Sequence, residues 1–193
     1  MNIDHKADWI LINEPNNDPL SQVVNTPENK YLKQCIVRVG MDQGLLVEAS
    51  DQQRKLLTRG VLGCNVVAIE GIHNGVRFGG LTHYSPYFID INVARMEELG
   101  RLDNSSDEND EINAVIFVRG RTDYVNDKKI FIPSNEEETV KLFSAVKKAF
   151  GEKTNIKVVP YRMDNYQEVK DHGDVWVDIS ENPEKGERIV GIF

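Results

Sequence analysis

Asn65-Val-Val-Ala-Ile-Glu70-Gly-Ile-His-Asn-Gly75-Val-Arg-Phe-Gly-Gly80-Leu-Thr-His83 decides how this chain is read. Asn65 to Glu70 and Val76 to His83 are short apolar and β-branched runs, and the turn residues Gly71 to Gly75 lie between them. His73-Asn74-Gly75 in that turn is a hairpin signal. Folding at the turn brings the start of the first strand beside the end of the second, where cross-strand Cβ atoms are roughly 5 Å apart. Whatever precedes Asn65 therefore meets His83.

Outward from this hairpin the pattern remains sheet-rich. Upstream, Gln34 to Val39 and Leu45 to Ala49 read as a β-pair joined by the turn Gly40 to Gly44. Downstream, Asn92 to Leu102 carries Val93, Met96 and Leu99 at a spacing of three, which predicts a helix. Ile112 to Val118 is a nearly continuous apolar run, as in a central strand covered on both faces. Ser134 or Asn135 caps a helix whose first turn is acidic, and Val140, Phe143, Val146 and Phe150 continue one apolar face to Gly151. Ile156 to Pro160, Val175 to Ile179 and Arg188 to Ile192 read as three more strands. The order predicts an α/β (α+β) layered sandwich: a mixed, mostly antiparallel sheet with β-hairpins, covered by helices.

The 193 residues suffice for one domain with a real core, expected over residues 31–193. Residues 1–30, rich in Pro, Asn and Asp, read as a loop-rich N-terminal arm. Asp103 to Glu111 reads as a solvated acidic loop. A composition of 40% hydrophobic and 28% charged residues is ordinary for a globular chain. The formal net charge of −8 argues against a broad phosphate-binding face, hence against nucleic acid as a partner. The apolar run Trp9 to Ile12 is too short for a signal peptide or a membrane span, so no membrane insertion and a cytoplasmic location are expected, with export by a dedicated secretion system as the alternative. The two cysteines are too few for a disulfide scaffold and are not spaced as metal ligands.

In Thr58-Arg-Gly-Val-Leu-Gly-Cys64 the cysteine follows a glycine where a loop enters a strand. Backbone N–H groups at such a junction can stabilise a thiolate and a tetrahedral oxyanion. A nucleophilic thiol needs a base within hydrogen-bond reach, and the hairpin offers His83. The competing reading of Cys64 is a small buried apolar residue, since free cysteine is among the most buried residue types. His5 lies in the arm, His73 in the hairpin turn and His172 in the loop Asp171 to Asp174. That loop is better read as a solvated turn than as a metal site. Gly75 to Gly80 is a poor phosphate loop because no helix follows it. Cys35, inside the first predicted strand, is assigned to the core.

The order Thr58, Leu62-Gly63-Cys64, hairpin, Gly79-Gly80-Leu-Thr-His83-Tyr-Ser-Pro86 resembles the CheD-type chemoreceptor glutamine deamidases. The Leu-Gly-Cys string is also similar to the core of the related toxin deamidases. The likeness extends over residues 34–193. It implies that Cys64 attacks the side-chain amide of a protein glutamine, that His83 takes the thiol proton and gives it to departing ammonia, and that Thr58 orients the imidazole. It also implies that the loop at Leu62 and Gly63 supplies oxyanion donors, with Gly79, Gly80, Tyr84 and Arg121 as candidate substrate contacts and no cofactor or metal. Arg119-Gly120-Arg121, where the family usually has a glycine pair, departs from the pattern.

The expected partner is a protein that presents a glutamine, such as a chemoreceptor. Two alternatives stand beside it: a CheD-like adaptor that binds a chemotaxis-type signalling partner with weak or no catalysis, and a toxin-like deamidase directed at a host protein.

Overall fold

The computed structural model describes residues 9–11, 35–49, 54–73, 75–101, 111–161, 173–180 and 188–192. The predicted hairpin is its centre. β5 (Asn65–His73) and β6 (Val76–Tyr84) pair antiparallel from Asn65↔Tyr84 to His73↔Val76, so His73 belongs to the strand and the turn is tighter than Gly71 to Gly75. On one side of the hairpin lies β3 (Gln43–Glu48), then β1 (Trp9–Leu11) parallel to it at the edge. On the other lies β7 (Glu111–Val125), whose residues 111–117 pair with β5 and whose residues 113–119 pair parallel with β9 (Asn155–Tyr161). Past Arg119, β7 leaves the sheet body and pairs only with β8 (Lys128–Pro133) in a two-stranded ribbon.

A second sheet runs β11 (Ile189–Ile192), β10 (Asp174–Asp178), β4 (Arg54–Thr58), β2 (Cys35–Arg38). It packs on one face of the large sheet. Val37, Leu56, Val175 and Val177 meet Val47, Val66, Ala68, Leu81, Phe117 and Tyr161 in one buried cluster. The helices α1 (Ile89–Arg101) and α2 (Glu136–Phe150) cover the opposite face, where Met96, Leu142, Ala145 and Val146 close over Val67, Ile69, Ala114, Ile116 and Val118. Successive residues of a strand point to opposite faces, so Ala114, Ile116 and Val118 face the helices while Phe117 faces the second sheet. The result is the layered α+β sandwich read from the sequence, mostly antiparallel and covered by helices on one side.

Several elements differ from expectation. Gln34 to Val39 and Leu45 to Ala49 do not form a hairpin: β2 and β3 lie in different sheets, and the turn between them crosses the sandwich. The alternation of Val37 and Val39, then Leu45 and Val47, buries both strands in the same core from opposite sides. β4 and β8 are strands that the sequence reading does not place. Trp9–Leu11, within the stretch read as a loop-rich arm, is a strand, and Glu111, read as the end of the acidic loop, begins β7; the remainder of the arm, Asp103 to Asp110 and the Asp171–His172 part of the metal-like loop lie outside the described residues. The buried face of α2 is Thr139, Leu142, Ala145 and Val146. Val140 is 63% and Phe143 38% exposed, so the apolar face expected there is turned by about a quarter of the helix. Among the described residues no helix is long and apolar enough to cross a membrane.

Candidate active site

Cys64 stands immediately before β5, after a turn that its glycines make possible. Gly60 and Gly63 adopt φ values of 72° and 78°, in the left-handed region that a side chain disfavours. The Leu62 N–H donates to the Gly60 carbonyl at 2.8 Å and the Val61 N–H to the Gly173 carbonyl at 3.2 Å, which ties the turn down. His83 comes from the other strand of the hairpin. Its direct partner across the ladder is Val66, not the residue next to Cys64. Cys64 precedes the ladder, which ends at Asn65↔Tyr84, and joins Val66 in the core cluster between the two sheets, so it does not stand directly opposite His83 as expected.

The third residue arrives from the other sheet. Thr58 ends β4, and its Oγ1 lies 2.7 Å from His83 Nδ1 in a buried hydrogen bond that spans the two layers. Thr58 and His83 are each 1% exposed and Cys64 5%. Among the described residues His83 Nε2 has no hydrogen-bond partner, although it is buried. Buried polar atoms are nearly always paired, so an imidazole nitrogen without a partner, close to where the Cys64 turn enters β5, is a feature to be explained.

The electrostatics come from burial first. Burial pushes the Cys64 thiol up from its ordinary value, the Asp42 carboxylate pushes it further, and the Leu62 N–H directed at the sulfur works against both. Burial pushes His83 down, with the Asp42 charge opposing. Near neutral pH the resting pair is therefore a neutral thiol and a neutral imidazole.

Two residues at the site were not anticipated. The Tyr161 phenol, buried on β9, donates to the carbonyl of Cys64 at 2.7 Å, and the Gly63 N–H bears on the phenol oxygen. Burial and the nearby Cys64 sulfur both push this phenol up, so it stays protonated. Asp42 sits in the β2–β3 turn and touches the strand that carries His83. Nothing in Val159-Pro-Tyr161 marks a site residue. For Asp42 a signal exists: Gly40-Met-Asp-Gln-Gly44 is a turn in which Asp tolerates the left-handed conformation.

The remaining predicted contacts are placed elsewhere. Of the N–H groups expected to serve an oxyanion, that of Leu62 donates to the Gly60 carbonyl and also bears on the Cys64 sulfur, and that of Gly63 bears on the Tyr161 phenol oxygen. A side chain at Gly79 would collide with Ile179 Cγ2 on the facing layer, and one at Gly80 would meet Leu46 Cδ1 at 3.0 Å on the neighbouring strand, so Gly79 serves packing between layers and Gly80 packing within the sheet. Tyr84 is buried and follows His83 on a strand, so it points to the opposite face. The Arg121 guanidinium donates to the Ser134 carbonyl at 3.2 Å and lies 3.9 Å from Glu136, at the base of the ribbon. Asp174 pairs with Arg59 at 3.3 Å. Among the described residues no group of His, Cys, Asp or Glu is arranged to hold a metal ion.

No protein-family model and no curated protein sequence matches this chain.

Proposed function

We propose that the protein is a cysteine amidohydrolase that converts a protein glutamine to glutamate, with Cys64 as nucleophile, His83 as base and Thr58 as the group that orients it. The observation that carries this reading is the buried 2.7 Å hydrogen bond between Thr58 Oγ1 and His83 Nδ1. With Nδ1–H donating to the hydroxyl, Nε2 is the basic nitrogen, and it is the one without a partner. The thiol proton passes to Nε2 as the sulfur bonds to the amide carbon and the carbonyl oxygen takes up the electron pair. The C–N bond then breaks, and the proton on Nε2 leaves with the nitrogen as ammonia. Water repeats the sequence on the thioester: Nε2 accepts its proton, hydroxide adds to the carbonyl carbon, and the proton returns to sulfur as glutamate departs. The resemblance to the CheD-type deamidases supports glutamine as the substrate side chain and a chemoreceptor as its carrier.

One observation favours a second reading, a binding module that keeps the fold. Cys64 is 5% exposed and its thiol is pushed up by burial and by Asp42, the reverse of the depressed value of a preformed thiolate. The two readings separate on ammonia release from glutamine-bearing proteins, among them chemoreceptor cytoplasmic fragments, with mass spectrometry locating any amide converted to acid. The deamidase reading expects conversion that Cys64→Ala abolishes; conversion undiminished in Cys64→Ala contradicts it.

A further inference from the structure

The turn between β2 and β3 brings to the site a carboxylate that the chemistry above does not use. Asp42 has a φ of 61°, in the left-handed region. From there its N–H donates to the His83 carbonyl at 2.6 Å, and its Oδ1 accepts from the Ser85 N–H at 3.0 Å. One residue thus grips β6 on both sides of Tyr84, at the point where Gln43↔His83 is the last pair between β3 and β6. The groups that surround His83 are the neutral Thr58 hydroxyl from β4, the Cys64 thiol from the turn before β5 and Asp42 itself. Beyond Cys64 lie the Tyr161 phenol on β9 and Arg119, its ladder partner on β7. Asp42 is the carboxylate that bears on both members of the pair, favouring the protonated form of each.

We propose that Asp42 is a positioning residue that holds the end of β6 by its backbone and side chain and serves, by its charge, as counter-ion to the protonated His83. The proposal rests on the Cys64–His83 reading. Once the sulfur is bonded to carbon it carries no charge, while the imidazole carries the transferred proton; a carboxylate at this place stabilises that stage. Before attack the same charge disfavours the thiolate and keeps the resting thiol intact. Asp42 therefore trades a less reactive resting cysteine for a better base when His83 takes up the thiol proton.

The test separates charge from shape. Asp42→Asn retains an acceptor for the Ser85 N–H and a residue type that tolerates positive φ, and removes only the charge. Asp42→Ala removes the acceptor as well. Labelling of Cys64 by iodoacetamide, followed by mass spectrometry across pH, is expected to shift to lower pH in both variants. His83, titrated by NMR in the same variants, is expected to lose its proton at lower pH as well, because the charge that favours its protonated form is gone. Only Asp42→Ala should also unfold at lower denaturant. An Asp42→Asn profile that overlays the wild type overturns the proposal and leaves Asp42 a turn residue. His83→Asn, labelled in parallel, reports on the underlying pair: a rate equal to the wild type would sink the deamidase reading while the Asp42→Asn comparison still measures the charge effect on the thiol.

Discussion

The Thr58 hydroxyl is the smallest part of this site and the most exacting. It crosses from one sheet to the other to reach His83 Nδ1, and both residues are almost fully buried. Thr58→Val keeps the shape and leaves a buried imidazole nitrogen without its partner, which costs about 1–3 kcal/mol. Urea unfolding should show that loss, and Cys64 alkylation should slow because the imidazole is no longer held in one tautomer. Unchanged stability would mean that the hydrogen bond contributes nothing net. The pairing of these two residues was legible as an expectation because the order Thr58, Cys64, His83 resembles that of the CheD-type deamidases. Asp42 was legible only as a turn residue and Tyr161 not at all: one acts through a turn that crosses the sandwich, the other through a carbonyl contact 97 positions away in sequence, and no local pattern places either at the site.

At the scale of elements, the close approach of β6 and the second sheet depends on Gly79. A methyl group there collides with Ile179 Cγ2 and comes within 3.2 Å of Val177 Cγ1. Gly79→Ala should destabilise by about 1–3 kcal/mol, the usual cost of overpacking, read as a lower urea midpoint. The same shift of layers would draw Thr58 from His83, so Cys64 alkylation should slow as well. Helix α2 tests the corrected face. Leu142→Ala should cost about 2–5 kcal/mol, whereas Val140→Ala, at an exposed position, should change stability by less than about 0.5 kcal/mol. The hairpin of β5 and β6, both helices and the apolar centre of β7 could be read from period and turn chemistry, because those signals are local. The separation of β2 from β3 could not. Two adjacent apolar runs joined by glycines look the same whether they pair with each other or with distant strands. The face of α2 was misread because Val140 and Phe143 satisfy a helical spacing as well as Leu142 and Ala145 do, and only the position of the sheet decides between them.

The molecule as a whole carries the site as a titrating unit buried between two sheets. His83 is held below its ordinary value of 6.5, so the folded state binds fewer protons than the unfolded chain as pH falls past that point; its contribution to stability is full above 6.5 and is lost on acidification. Cys64 is held above 9.0, so its contribution is full below that value and is lost as pH rises beyond it. Urea midpoints should therefore be highest between these two limits and fall on either side, with the acid limb flattened in His83→Asn. An acid limb of equal slope in both proteins would place the proton uptake elsewhere. The central claim is narrower: Cys64 and His83 work as one unit. The measurement that tests it most directly is the rate of Cys64 alkylation near neutral pH in the wild type and in His83→Asn, whose amide can keep the contact to Thr58 while removing the base at Nε2. A clearly slower reaction is expected in the variant, because a raised thiol depends on the imidazole to take its proton; equal rates in the two proteins would mean that Cys64 and His83 are not coupled.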